Sequence, residues 1–119
     1  MKTITIKEQK TGELVSQKTI KSIVKAIAQN FHPEKIILFG SYALNREEPD
    51  SDVDLLVIME SDLSHYKRSV ALQMLFRPIP CAVDILVYTP EEVHKWNGTP
   101  NHIITEALLH GKVLYEQES

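Results

Sequence analysis

Apolar residues recur along this 119-residue chain with two different periods. From Ser16 to about Phe31, the residues Ile20, Ile23, Val24, Ile27 and Phe31 fall at helical spacing, with Lys18, Lys21 and Lys25 on another face. Pro33 ends that helix. Ile36-Ile37-Leu38-Phe39 then runs without interruption, the mark of a strand buried on both faces of a sheet. Gly40-Ser41 closes the strand, Tyr42 to Leu44 is predicted to begin a short helix, and the polar stretch from Asn45 to Ser51, which holds Pro49, is a loop. Val53 to Met59 reads as a second buried strand. After a turn at Ser61 to Ser64, a helix is predicted from Tyr66 to about Arg77, with Tyr66, Val70, Ala71, Met74 and Leu75 as its apolar stripe and Lys67 and Arg68 outside it. Pro78 and Pro80 end it, and Cys81 to Tyr88 forms a third strand, apolar except for Asp84.

Thr89-Pro90-Glu91-Glu92 combines a cap, a proline at the first helical position and a glutamate placed for a capping box. That helix ends near Gly98. Thr99-Pro100 starts another, with Ile103, Ile104, Ala107 and Leu108 as its stripe and Gly111 as its stop, and Val113-Leu114-Tyr115 adds an edge strand. At the other end, Ile4 and Ile6 alternate with polar residues, and Thr11-Gly12 can turn the chain towards Leu14 and Val15. A weak strand, a hairpin and a loose leader all fit residues 1–17. Helices alternating with apolar strands require a sheet with helices packed against it, an α/β (α+β) fold. No repeat, linker or low-complexity segment divides the chain, so residues 18–116 are expected to form one domain, followed by a short tail at 117–119.

Composition narrows the function classes. Hydrophobic residues at 43% and charged residues at 24% are ordinary globular values. Thirteen basic against sixteen acidic residues give a net charge of −3, which argues against direct binding of nucleic acid by bulk electrostatics but leaves a nucleotide ligand open. The lone Cys81 cannot form an internal disulfide, and it reads as a small core residue in a reducing, cytoplasmic protein. No run approaches membrane-spanning length, and the first ten residues lack the apolar core of a signal peptide.

The polar exceptions inside this apolar pattern suggest chemistry. Residues two apart in a strand point to the same face, so Asp52 and Asp54 are expected to project together. Asp84 interrupts a different apolar strand. If the two strands are neighbours, facing β-carbons lie about 5 Å apart. Three carboxylates gathered so closely repel one another unless protonated or bridged by cations. An all-oxygen donor set suits Mg²⁺ or Mn²⁺, and two ions about 3.5–4 Å apart fit such a cluster. Gly40-Ser41 supplies the other half, a close backbone approach with free amides for phosphate oxygens and a hydroxyl from Ser41. On this reading Gly40 and Ser41 hold the β- and γ-phosphates of a nucleoside triphosphate, Asp52 and Asp54 hold the metals, and Asp84 completes the second metal's shell and takes the proton of an attacking hydroxyl. Taken singly, Gly-Ser after a strand is usually a turn and Ser-Asp before a strand a solvated loop end; Asp84 is the stronger signal, because an unpaired carboxylate within an apolar strand is costly, its alternative being a strand position that faces solvent.

Taken together, Gly40-Ser41, ten residues, then Asp52-Val53-Asp54, with Asp84 in a later strand, resemble the nucleotidyltransferase domain of the DNA polymerase beta superfamily, and in particular its minimal nucleotidyltransferases. The similarity continues through Val83-Asp84-Ile85-Leu86-Val87, Thr89-Pro90-Glu91-Glu92 and Glu106-Ala107-Leu108 to Glu116, covering about residues 18–116. The resemblance implies a mixed, strongly twisted sheet with helices on one side, two Mg²⁺ ions, and ATP as substrate. Many members carry Arg-Gly after Gly-Ser-x-Ala, where this chain has Leu44-Asn45; Asn45 can adopt the left-handed backbone of glycine, and Arg46 stands one place on. Larger relatives that modify aminoglycosides add a helical domain for the acceptor, which this chain is expected to lack. Stand-alone members resemble the antitoxin of a toxin–antitoxin pair whose toxin is a helical HEPN-type ribonuclease, and in that group AMP passes from ATP to a tyrosine of the toxin. The resemblance thus implies a protein acceptor. Two alternatives stay open: an antitoxin that only occludes its partner, and a small-molecule nucleotidyltransferase. The oligomeric state, including a homo-oligomer, stays open too. The five histidines are scattered without a zinc-like spacing, and Trp96 is either a core anchor or a partner contact.

Overall fold

The computed structural model describes residues 3–6 and 13–118. Its elements, in chain order, are α1 (Gln17–Phe31), β1 (Lys35–Phe39), β2 (Val53–Ile58), α2 (His65–Gln73), β3 (Val83–Tyr88), α3 (Pro90–Trp96), α4 (Ile103–His110) and β4 (Lys112–Glu116). The strands form one sheet in the order β3-β2-β1-β4. β2 and β3 run parallel, while β1 is antiparallel to both of its neighbours, so the sheet is mixed, as expected. On β4 the register skips Leu114: Ile36 pairs with Tyr115 and the next residue, Ile37, with Val113. Among the described residues of the N-terminal segment, Ile4 bridges to Phe76, Thr5 Oγ1 donates to Arg77 O at 3.5 Å, and Ile4 and Ile6 pack against the core. The turn expected at Thr11-Gly12 lies outside the described residues.

Strand alternation divides the core in two. Ile36, Leu38, Val53, Leu55, Val57, Ile85 and Val87 face one way and pack with Ile20, Ile23, Val24 and Ile27 of α1 and Leu72 of α2. Ile37, Phe39, Leu56 and Ile58 face the other way and meet Ile104 and Ala107 of α4, with Val93 and Trp96 of α3 alongside. The expectation of helices on one side therefore does not hold. Strands β1 and β2 are apolar at almost every position, so both of their faces need cover, and a helix pair supplies each.

The helix ends follow their caps. Ser16 Oγ accepts from the Thr19 amide at 3.1 Å, and His32 closes α1 with a φ of 50°. At α3, Thr89 and Glu92 form the expected reciprocal capping box. α4 begins at Ile103 rather than Thr99, because His102 takes the cap: its Nδ1 accepts from the Ile104 amide at 3.1 Å. α2 departs most from the sequence reading. It stops at Gln73, and its inward residue is Leu72, followed in the next turn by Leu75 and Phe76. Tyr66 and Met74, expected in the core, are 77% and 52% exposed.

Candidate active site

β1 is followed directly by Gly40, whose φ of 74° is open to glycine and strained for other residues. Phe39 is the register partner of Asp54, which brings the Asp54 side chain against this glycine. A β-carbon at residue 40 would collide with Asp54 Oδ2. On its other side, Asp54 is the direct neighbour of Asp84 across the parallel β2–β3 pair, so both carboxylates stand on the same face. That face is the one covered further along by α3 and α4. Asp52 sits one residue before β2 begins, so it is placed by the loop rather than by strand alternation.

The electrostatics record this crowding. Burial foremost, then the charges of Asp84 and Asp52, push the Asp54 carboxyl up to about 6. Asp54 is half-buried, whereas Asp52 and Asp84 are exposed. Among the described residues none of the three carboxylates makes a salt bridge or a hydrogen bond; the ion pairs there are Lys35–Glu116 and Arg68–Glu92. Three hard oxygen donors without a protein cation suit a divalent ion such as Mg²⁺. They do not close into a ready-made cage, however: among the described residues no group of three or more His, Cys, Asp or Glu side chains could hold a metal by itself. Further oxygens, such as those of a phosphate, would have to complete the shell.

The segment after Gly40 is a turn and not the short helix expected. Ala43 and Leu44 amides donate to Gly40 O at 3.1 and 3.2 Å, and Arg46 N donates to Ser41 O at 2.9 Å. Asn45 then takes a φ of 57°, the left-handed conformation anticipated for it, and this ends the winding after about one turn. The Ser41 and Tyr42 amides donate to no acceptor among the described residues, and Ser41 itself is half-buried. A concave turn with two free N–H groups thus lies next to the carboxylates, an arrangement suited to anionic oxygens. Ser51 braces the following loop by accepting from the Glu48 amide at 2.8 Å.

Other singled-out residues have structural work. Burial, and then the charge of Asp52, push the Cys81 thiol up to about 11, so it carries its proton at neutral pH and is no nucleophile. Arg68, read from sequence as outside the apolar stripe, has a side chain only 10% exposed, and it bonds Glu92 Oε1 at 2.6 Å and Leu63 O at 2.8 Å. Trp96 stacks on His102 with ring centroids 4.6 Å apart, joining α3 to α4. Sequence reasoning passed over Tyr42. It is buried, and its phenol oxygen accepts from the Val15 amide at 2.9 Å across 27 positions of chain, a pairing with no local signature.

Comparison with known proteins places the chain in a family. Residues 21–119 fit the family described as polymerase beta, nucleotidyltransferase. A Methanocaldococcus jannaschii protein named for protein adenylyltransferase activity is 30% identical over 101 residues, spanning 83% of this chain and 97% of the relative. Among solved structures, a Sulfolobus solfataricus protein described as a nucleotidyltransferase superposes with a TM-score of 0.60 at 21% identity, over 84% of this chain and 79% of the other. A toxin–antitoxin complex with AMP-PNP follows, with a TM-score of 0.54 at 18% identity, over 82% and 74% of the two chains. At such identities the two structures speak for the fold, whereas the sequence match covers most of the chain and carries the kinship: this protein belongs to the polymerase beta nucleotidyltransferase family and is a nucleotidyltransferase.

Proposed function

We propose that this chain transfers AMP from ATP to a tyrosine hydroxyl of a helical, HEPN-type toxin and so acts as its antitoxin in the cytoplasm. The observation that carries the reading is Asp54, pressed between Gly40 and Asp84 with no cationic partner among the described residues. Asp52, Asp54 and Asp84 would hold Mg²⁺, with Mn²⁺ as substitute, and when bound the two ions neutralise the triphosphate and the departing pyrophosphate. The free amides of Ser41 and Tyr42, with the Ser41 hydroxyl, take the β- and γ-phosphate oxygens, and Gly40 lets them approach. Asp84, the more exposed of the adjacent strand pair, accepts the proton of the attacking hydroxyl. The tyrosine oxygen bonds to the α-phosphorus, the bond to the bridging oxygen breaks, and pyrophosphate leaves. The likeness to a protein adenylyltransferase supports a protein acceptor, and the fold likeness to a toxin–antitoxin complex supports the kind of partner.

Incubation with α-labelled ATP, Mg²⁺ and the product of the adjacent gene tests this. Label should appear on the partner, and Asp84→Ala should abolish it. An intact partner that stays unlabelled would sink the proposal. The open spread of the carboxylates favours one second reading, an antitoxin that only occludes its partner. In that case Asp84→Ala would neutralise the toxin as well as the unsubstituted chain does.

A further inference from the structure

Tyr42 is the second residue of the turn that follows Gly40, and it contributes one of that turn's two free amides. The ring is buried, as the neighbouring Ala43 is, while Leu44 and Asn45 are exposed. Tyr42 is 6% exposed and packs in the core cluster on the α1 face, together with Val15, Ile20 and Leu38. Its phenol oxygen accepts from the Val15 amide at 2.9 Å, and Val15 directly precedes Ser16, the cap of α1. No strand bonding spans this region, because β1 has ended at Phe39 and β2 starts only at Val53. The described backbone bonds of 41–46 run within the turn itself, so they set its curvature but not its orientation relative to the sheet. The buried Tyr42 ring and its bond to Val15 tie the turn to the front end of a helix lying on the opposite face of the sheet from Asp54.

We infer that Tyr42 is a positioning residue for the triphosphate: through Val15 it aims the Ser41 and Tyr42 amides at the β- and γ-phosphates. This rests on the functional reading above and adds a determinant of nucleotide affinity outside the carboxylates. Removing the phenol oxygen leaves the ring in the core, so the turn stays folded but loses its aim. The effect should fall on the distal phosphates and spare the rest of the nucleotide. One buried hydrogen bond corresponds to roughly a two- to twelve-fold change in an equilibrium constant.

Calorimetric titration with ATP and with AMP, both in Mg²⁺, provides the test. Tyr42→Phe should weaken ATP by roughly three- to ten-fold and leave AMP within two-fold. Val15→Pro, which removes the donor, should do the same, and the double variant should bind ATP no worse than either single one. Ile27→Val, a core change on the same face, serves as the stability control and should bind both nucleotides normally. Equal weakening of ATP and AMP, or a lowered melting temperature with ATP affinity unchanged, would overturn the inference and leave the functional reading intact. Failure of the unsubstituted chain to bind ATP would overturn both.

Discussion

Between about pH 4 and 6 the Asp54 carboxyl of the folded chain keeps a proton that the unfolded chain has released, because its pKa rises from the ordinary 3.8 to about 6. The folded state therefore binds more protons in that window, and stability declines as pH climbs through it. Below about pH 4 both states are protonated and the contribution is complete, whereas above about pH 6 it is gone. Asp54→Asn should accordingly melt at a higher temperature than the unsubstituted chain at pH 7 in EDTA, with the gap closing towards pH 4; thermal melts across that range check it. The same substitution should end nucleotidyl transfer, a trade of function against stability. The sequence put Asp54 near the start of the second strand and Asp84 inside the third apolar one, and the register sets the two side by side. Asp52 was harder: it lies before β2 begins, where the two-residue repeat of a strand no longer dictates direction.

At the scale of elements, α2 is the case where periodicity misled. Apolar residues occupy more than one side of the segment from Tyr66 to Phe76, so its sequence carries two candidate stripes. The structure buries Leu72, Leu75 and Phe76 and turns Tyr66 and Met74 outward. Burial of Arg68 goes with this rotation, since its guanidinium reaches across to Glu92 at the start of α3. For Glu92, burial pushes its carboxyl upward, yet the bonds from the Thr89 amide and from Arg68, with the Arg68 charge, hold it below the ordinary value. Leu72→Ala should destabilise the protein by about 2–5 kcal/mol in chemical denaturation, and Tyr66→Ala by less than about 0.5 kcal/mol. Comparable losses from the two would restore the sequence reading. By contrast, α3 was legible in detail, because a capping box is a local pairing between residues three apart.

For the whole molecule, one sheet with an apolar cluster on each side accounts for the fold without any ion. Chelation of divalent cations should stop transfer of label from ATP while leaving the far-ultraviolet circular dichroism unchanged. Loss of helical signal on adding EDTA would contradict this. The order of the elements was readable from apolar runs and their proline and glycine stops, whereas the mixed character of the sheet was expected only from the family resemblance. The placement of helices on both faces was implied by those same runs, but a long-range anchor such as Tyr42 to Val15 leaves no trace in spacing. One irregularity at the sheet's rim has a wider consequence. By stepping out of register at Leu114, β4 denies an incoming chain the regular row of donors and acceptors that cross-chain strand growth requires.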